Sequence, residues 1–389
     1  MYTRITLLVF IALTVLGCSD DPSSIGSSLL PSGDYPDITV DTLYATAHAS
    51  PYTLATTRSS DRILLGNTGS IQAWSMLQFL GLPDSLSTIT ITRAWIEVST
   101  SYHYGDSLAP VSFTIHRGTG NWLGDSLTCD SLISQPSLYF DAAPFASVSS
   151  GAVPDTGWFR FEIPDTALIH QWIAASSDTN ATNFGIILNP TNSSVVKGFW
   201  SFNSLETTLA PKLILECQID GATVEYSHQS GTARYCATAP EGTILLDPSR
   251  IYVQSGIAYR GLVTFDVSSI RRGVVINRAL LELTLDASGS DRTGLVPDSL
   301  YAYYVSETGA IVAESYRLSG GGTLNNERFY QFDARDYVQQ WLAYPGLPKQ
   351  VTVTGVSELG TLDRFVFYGS GAPIQLRPRL RVTYSSIHQ

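Results

Sequence analysis

Apolar and polar residues alternate along most of the chain from residue 38 onward. Trp74-Ser75-Met76-Leu77-Gln78-Phe79 trades the two types with a period of two, which predicts a half-buried strand. Arg93-Ala94-Trp95-Ile96-Glu97-Val98 continues the pattern, as do Arg260-Gly261-Leu262-Val263-Thr264-Phe265 and Arg278-Ala279-Leu280-Leu281-Glu282-Leu283. Two brief segments have helical period instead. Leu168, Ile169 and Trp172 sit at i, i+1 and i+4, and Tyr337, Val338 and Trp341 repeat that spacing. Residues four apart share a helix face, so each segment offers an apolar face ending in Trp.

These landmarks recur in order, which indicates a tandem duplication. Phe79 to Ala94 spans 15 residues and Phe265 to Ala279 spans 14. Trp172 to Pro211 is 39 and Trp341 to Pro378 is 37, the two prolines opening Pro211-Lys212-Leu213 and Pro378-Arg379-Leu380. The expected architecture is all-β: two tandem jelly-roll-like β-sandwiches, each plugged by one short helix. The boundary is placed at the turn Asp220-Gly221-Ala222, giving modules 38–220 and 221–389. Each is long enough to bury a core without metal or disulfide help. Trp172 and Trp341 read as core rather than as sugar platforms, since so short a helix needs tertiary packing to persist.

The landmarks resemble a known module. The Phe before a turn, the Arg-Ala-Trp/Leu strand, Trp122 followed by Ser126-Leu127-Thr128 and Pro136, the Gln-Trp helices, Asn183-Phe184-Gly185-Ile186 and the closing Pro-Lys/Arg-Leu are similar to the DNRLP (disaggregatase-related) β-sandwich, allied to carbohydrate-binding module family 96. The first copy matches over most of its length. The second lacks the Trp-x-x-x-Ser-x-Thr signature and offers a Gly-rich loop around residues 310–322. The resemblance implies a non-catalytic module with a polysaccharide ligand, and a second copy that is structural if that loop carries the ligand in relatives.

At the N-terminus, Arg4 precedes an apolar run from residue 5 to 16 that ends in Val15-Leu16-Gly17-Cys18. The run is short for a membrane span and reads as a signal-peptide core over residues 1–17. Gly17-Cys18 resembles a bacterial lipobox, which implies lipidation of Cys18 and attachment to a membrane. Residues 18–37 read as a tether. Their Ser19-Asp20-Asp21 resembles the export signal of Bacteroidota-type lipoproteins displayed on the outer face of the outer membrane.

Composition narrows the partners. The 389 residues carry 23 Lys+Arg against 34 Asp+Glu, a net charge of −11. That balance argues against nucleic acid, which needs a basic track.

Little in the chain speaks of catalysis. The six histidines are scattered without zinc spacing, and there is no G-x-S-x-G elbow, P-loop or dinucleotide fingerprint. No cofactor or metal is called for. Asp286-Ala287-Ser288-Gly289-Ser290-Asp291 lacks the alternating ligands of a Ca²⁺ loop and reads as a solvated turn. With Cys18 lipidated, Cys129, Cys217 and Cys236 remain; a Cys217–Cys236 bridge would lock the modules together.

Aromatic residues provide the remaining signal. Tyr102 and Tyr104 are two apart and share a strand face, with His103 and Asp106 beside them to bond hydroxyls. With Trp74, they form the candidate sugar platform; cross-strand packing is the alternative. Tyr301, Tyr303 and Tyr304 form a second aromatic stretch. The function expected is an outer-membrane surface lipoprotein with non-catalytic binding modules for polysaccharide. The alternatives are a structural or adhesive surface protein with a protein partner, and a glycan hydrolase.

Overall fold

The two copies fold alike, down to strand register. A computed structural model describes residues 37–52, 57–124, 127–192, 194–239, 246–295, 299–305, 311–319, 322–324 and 327–386. Ser126 and residues 1–36, which hold Cys18 and all of the expected signal and tether but Asp37, lie outside the described residues. Ala94, on Thr90–Gly105, stands opposite Leu215 of Lys212–Ile219. Its counterpart Ala279, on Val275–Thr284, stands opposite Val382 of Arg379–Ser386. On the other flank, Gly157–Glu162 pairs with Thr90–Gly105 as Glu327–Asp333 pairs with Val275–Thr284. The chain is all-β, with curled sheets of nine and eleven strands stacked as sandwiches.

Each copy is closed by its predicted helix, Thr166–Ala174 or Arg335–Ala343. Asp165 caps the first, its carboxylate accepting from the Leu168 N–H. Trp172 and Trp341 are both 1% exposed, each in the apolar core of its own copy. Burying a side chain of that size contributes on the order of 1.5–3 kcal/mol, enough to hold a helix of this length in place. The first copy carries one helix more than expected, Cys129–Ser134, opened by a reciprocal Thr128–Ser131 capping box.

Sheet membership departs from a cut at residue 220. Asp220 and Gly221 both have positive φ, 50° and 82°. Two such residues make the tight loop of a β-hairpin, which obliges the following strand to fold back on the preceding one. Accordingly Ala222–His228 pairs along Lys212–Ile219, and Gly231–Thr238 pairs with Gln72–Phe79, both within the first copy's sheet. The same two places in the second copy are taken by one N-terminal strand, Asp37–Ala49. It runs beside Arg379–Ser386 and then beside Gly261–Phe265, changing register at Ala45. Each copy therefore receives its opening strand from the other's stretch of sequence, and Ala45 and Ala233 sit in the exchanged cores.

Two further expectations are corrected. Gln72–Phe79 is buried on both faces rather than one: Leu77 and Phe79 face the main core, while Met76 joins Trp122, Leu132, Phe140 and Ile187 in a second apolar layer. The disulfide is Cys129–Cys236, which ties the extra helix to the incoming strand; Cys217 is the buried free cysteine, its thiol pushed up by burial. The turn after Asp286 is exposed at Ala287, Ser288 and Asp291, as expected, while the Asp286 carboxylate is buried and held by Arg250 at 2.8 Å and by the Ser288 N–H and hydroxyl, which donate to it. Within the Gly-rich stretch around 310–322, Ile311–Ser319 is a strand paired with Ser299–Val305.

Candidate functional site

The structure places Tyr102 and Tyr104 on one face, as their spacing predicts, but that face is covered. Tyr102 is fully buried and Tyr104 is 4% exposed, in an apolar cluster joining the copies through Leu64, Tyr235, Ile257 and Leu362. The ring of Tyr102 lies over Gly198, where an added Cβ would come within 2.7 Å of the Tyr102 Cβ. Its hydroxyl donates to Asp363 Oδ1 at 2.7 Å and accepts from the Leu362 N–H at 2.9 Å. Burial, and then the nearby Asp363, raise the Tyr102 phenol well above its ordinary value. Neither ring can stack on a sugar.

Their neighbours are equally engaged. His103 lies inside the first copy, its Nδ1 2.9 Å from Asp155 Oδ1 although off hydrogen-bonding geometry. Lys197, fully buried, donates to the same oxygen at 2.9 Å. Burial pushes the Asp155 carboxyl up, but Lys197 and His103 outweigh it and hold it below the usual range. Asp106 closes a turn by accepting from the Leu108 N–H. Trp74 packs on Phe140 with ring centroids 5.7 Å apart. The five residues expected to form one platform are thus divided among the interface, an ion pair, a turn and a core layer.

An open aromatic face lies instead on the second copy. Along Ser299–Val305, Leu300 and Ala302 point into the core, so Tyr301 and Tyr303 share the outer side, half-buried. Their rings lie 6.2 Å apart and tilted by 54°. Tyr301 stands opposite Thr354 and Tyr303 opposite Thr352 on Gln350–Gly355, and Thr352 opposite Leu262 on Gly261–Phe265. Thr354 donates to the Tyr303 hydroxyl at 3.2 Å. This face floors a cavity of about 310 Å³ lined by Arg260, Leu262, Tyr303, Gln350, Thr352 and Thr354.

A second cavity of about 330 Å³ adjoins it through Tyr303 and reaches the first copy at Ser60 and Asp61. The guanidinium of Arg260 makes two parallel bonds to Glu358, at 2.8 and 2.9 Å, and this contact raises its already high pKa. Asp61 pairs with Arg62 at 3.3 Å. The two linings offer three aromatic rings, those of Tyr301, Tyr303 and Tyr304, with a row of hydroxyl and amide groups and charges that are already paired. Such a surface suits a polar, ring-bearing ligand. In the sequence Tyr301, Tyr303 and Tyr304 stand out only as an aromatic stretch. Arg260 and Glu358, 98 positions apart, carry no local signal.

No protein-family profile matches the chain, and no curated protein matches it. Among solved structures, similarity is found to a "putative secreted protein" from Parabacteroides distasonis, at 10% identity over 92% of this chain and 91% of that one, TM-score 0.16. The infectious bursal disease virus VP2 subviral particle is similar at 10% identity over 92% and 79%, TM-score 0.13. At these scores neither likeness bears on function.

Proposed function

We propose that the protein is a non-catalytic surface binding protein that holds polysaccharide on the outer face of its second copy. The observation that carries this reading is the pair of half-buried rings, Tyr301 and Tyr303, beside Gln350, Thr352 and Thr354 over two adjoining cavities. Aromatic rings stack on the apolar faces of sugars while hydroxyl and amide groups bond their hydroxyls. Glu358 and Asp61, the carboxylates at the groove, are held by Arg260 and Arg62, which favours fixed acceptors over a free general acid. The disulfide favours an oxidising compartment. In this reading Cys18 is lipidated and anchors the protein outside the cell, and metabolic labelling with a fatty-acid analogue should disappear in Cys18→Ala.

The test of binding is a polysaccharide array followed by affinity electrophoresis. Tyr301→Ala with Tyr303→Ala should weaken retention by about tenfold or more, with thermal unfolding little changed. Retention unaffected by the pair, or no retention of any glycan, defeats the reading. Release of shortened products would favour a hydrolase.

A further inference from the structure

The loop after Phe265 reads Asp266-Val267-Ser268-Ser269-Ile270-Arg271-Arg272-Gly273, two adjacent arginines in a chain of net charge −11. It borders a cavity of about 580 Å³ at the closing helix of the second copy, and that cavity shares no lining residue with the Tyr301–Tyr303 groove. Arg271, Arg272 and Lys349 line it, against one carboxylate, Asp266. Asp266 is turned to its own loop, its Oδ1 accepting from the Ser268 N–H at 2.9 Å. Among the described residues, no carboxylate lies within ion-pair distance of Arg271 or Arg272, and both side chains are exposed. Lys349 donates to the carbonyls of Pro345 and Leu347 at 2.5 and 2.6 Å, in the turn that follows the helix. Burial, and then the charge of Arg272, push the Lys349 ammonium down, so the cations already feel one another.

One wall of the cavity is Trp341, 1% exposed, whose Nε1–H is buried without a partner. An unsatisfied buried donor costs about 1–3 kcal/mol and calls for an explanation. The corresponding connection in the first copy, residues 80–88, carries Asp84 and neither Lys nor Arg. The same frame has therefore been made basic in one copy only.

We propose that this cavity binds an anionic small molecule: an oxyanion group (phosphate, sulfate or carboxylate) held between Arg271 and Arg272, on a body of about the size of a sugar packed against Val267, Ile270 and Leu342. Guanidinium forks match such groups with two parallel bonds. The volume exceeds what a lone oxyanion fills and falls within the range of small-ligand sites.

The experiment is calorimetric titration of the full chain at fixed ionic strength with glucose 6-phosphate, glucose 6-sulfate and glucuronate, and with glucose as the uncharged control. Saturable binding of at least one anionic sugar, absent for glucose and weakened about tenfold or more in Arg271→Gln with Arg272→Gln, is expected. The arm that saturates identifies the group. Binding should also move one indole N–H resonance in the wild-type protein and leave it in place in the double variant. Both arginines are exposed, so the variant keeps the fold, and an unchanged melting temperature checks this. No saturable binding in any arm, or binding unchanged by the double substitution, overturns the proposal.

Discussion

The hydroxyl of Tyr102 donates to the carboxylate of Asp363 across 261 positions of chain, joining the two copies inside a buried seam. Thr293 adds a second donor to the same oxygen at 3.2 Å. Burial nevertheless dominates, and the carboxyl of Asp363 is raised above its ordinary value. Its contribution to stability is therefore fully present below the unfolded carboxylate range, near pH 4, and is lost as pH rises through the folded value. Asp363→Asn keeps an acceptor for Tyr102 and removes the charge. Its stability relative to wild type should increase from pH 3 to pH 7 by urea unfolding; a flat difference would count against the assignment. Tyr102→Phe leaves the Leu362 N–H without its acceptor and Asp363 without one of its donors, and should cost about 1–3 kcal/mol.

The reciprocal exchange of opening strands predicts how the chain can be divided. Fragment 38–220 carries a strand of the second copy's sheet and lacks Ala222–His228 and Gly231–Thr238 of its own, while fragment 221–389 carries those two and lacks the N-terminal strand. Expressed separately they should show little cooperative unfolding. A permutant joining residue 386 through a short linker to residue 37, and opening near residue 53, should fold, because Asp37 lies opposite Ser386 in register. Circular dichroism melts of the three proteins decide the matter.

Cys129 and Cys236 close a loop of 107 positions. Replacing both with Ala should lower stability by about 2–5 kcal/mol on chain-entropy grounds. Reductant should lower the melting temperature of the wild-type protein and leave that of the double variant unchanged. Equal sensitivity in both would point to another bridge.

Trp341→Ala should cost about 3–5 kcal/mol, since it empties a position that is almost wholly enclosed. With Tyr102, Tyr104 and Asp363 joining the copies, the loss should show as one broadened or lowered transition of the entire chain. Calorimetry that shows the second copy melting alone, with the first unaffected, would contradict this coupling.

Much of the architecture was legible in local pattern. The periods of two and of four located several strands and the two closing helices, though not Cys129–Ser134, and Ala94 and Ala279 proved to be true counterparts. The exchange was half-written in Asp220-Gly221: an Asp-Gly pair between alternating runs is a hairpin signal, and reading it as a boundary instead assigned residues 222–238 to the wrong sheet. Tyr102 and Tyr104 failed for another reason. Spacing reports which residues share a face and says nothing of what packs against it, and what covers them is Leu362 and Asp363, some 260 positions away. Tyr301 and Tyr303 show the same alternation on a face left open, so only the packing distinguishes the two pairs.

The opening strand Asp37–Ala49 is the first of the described segments to be synthesised, yet both its neighbours, Gly261–Phe265 and Arg379–Ser386, emerge far later. It must stay unpaired through most of translation or export, waiting for the last strand to arrive. Contacts of such wide separation slow folding and leave an uncovered edge open to misassociation. The exchange that makes the finished molecule one cooperative unit therefore ties its maturation to completion of the chain, and a product truncated before residue 379 would leave that strand without one of its two neighbours.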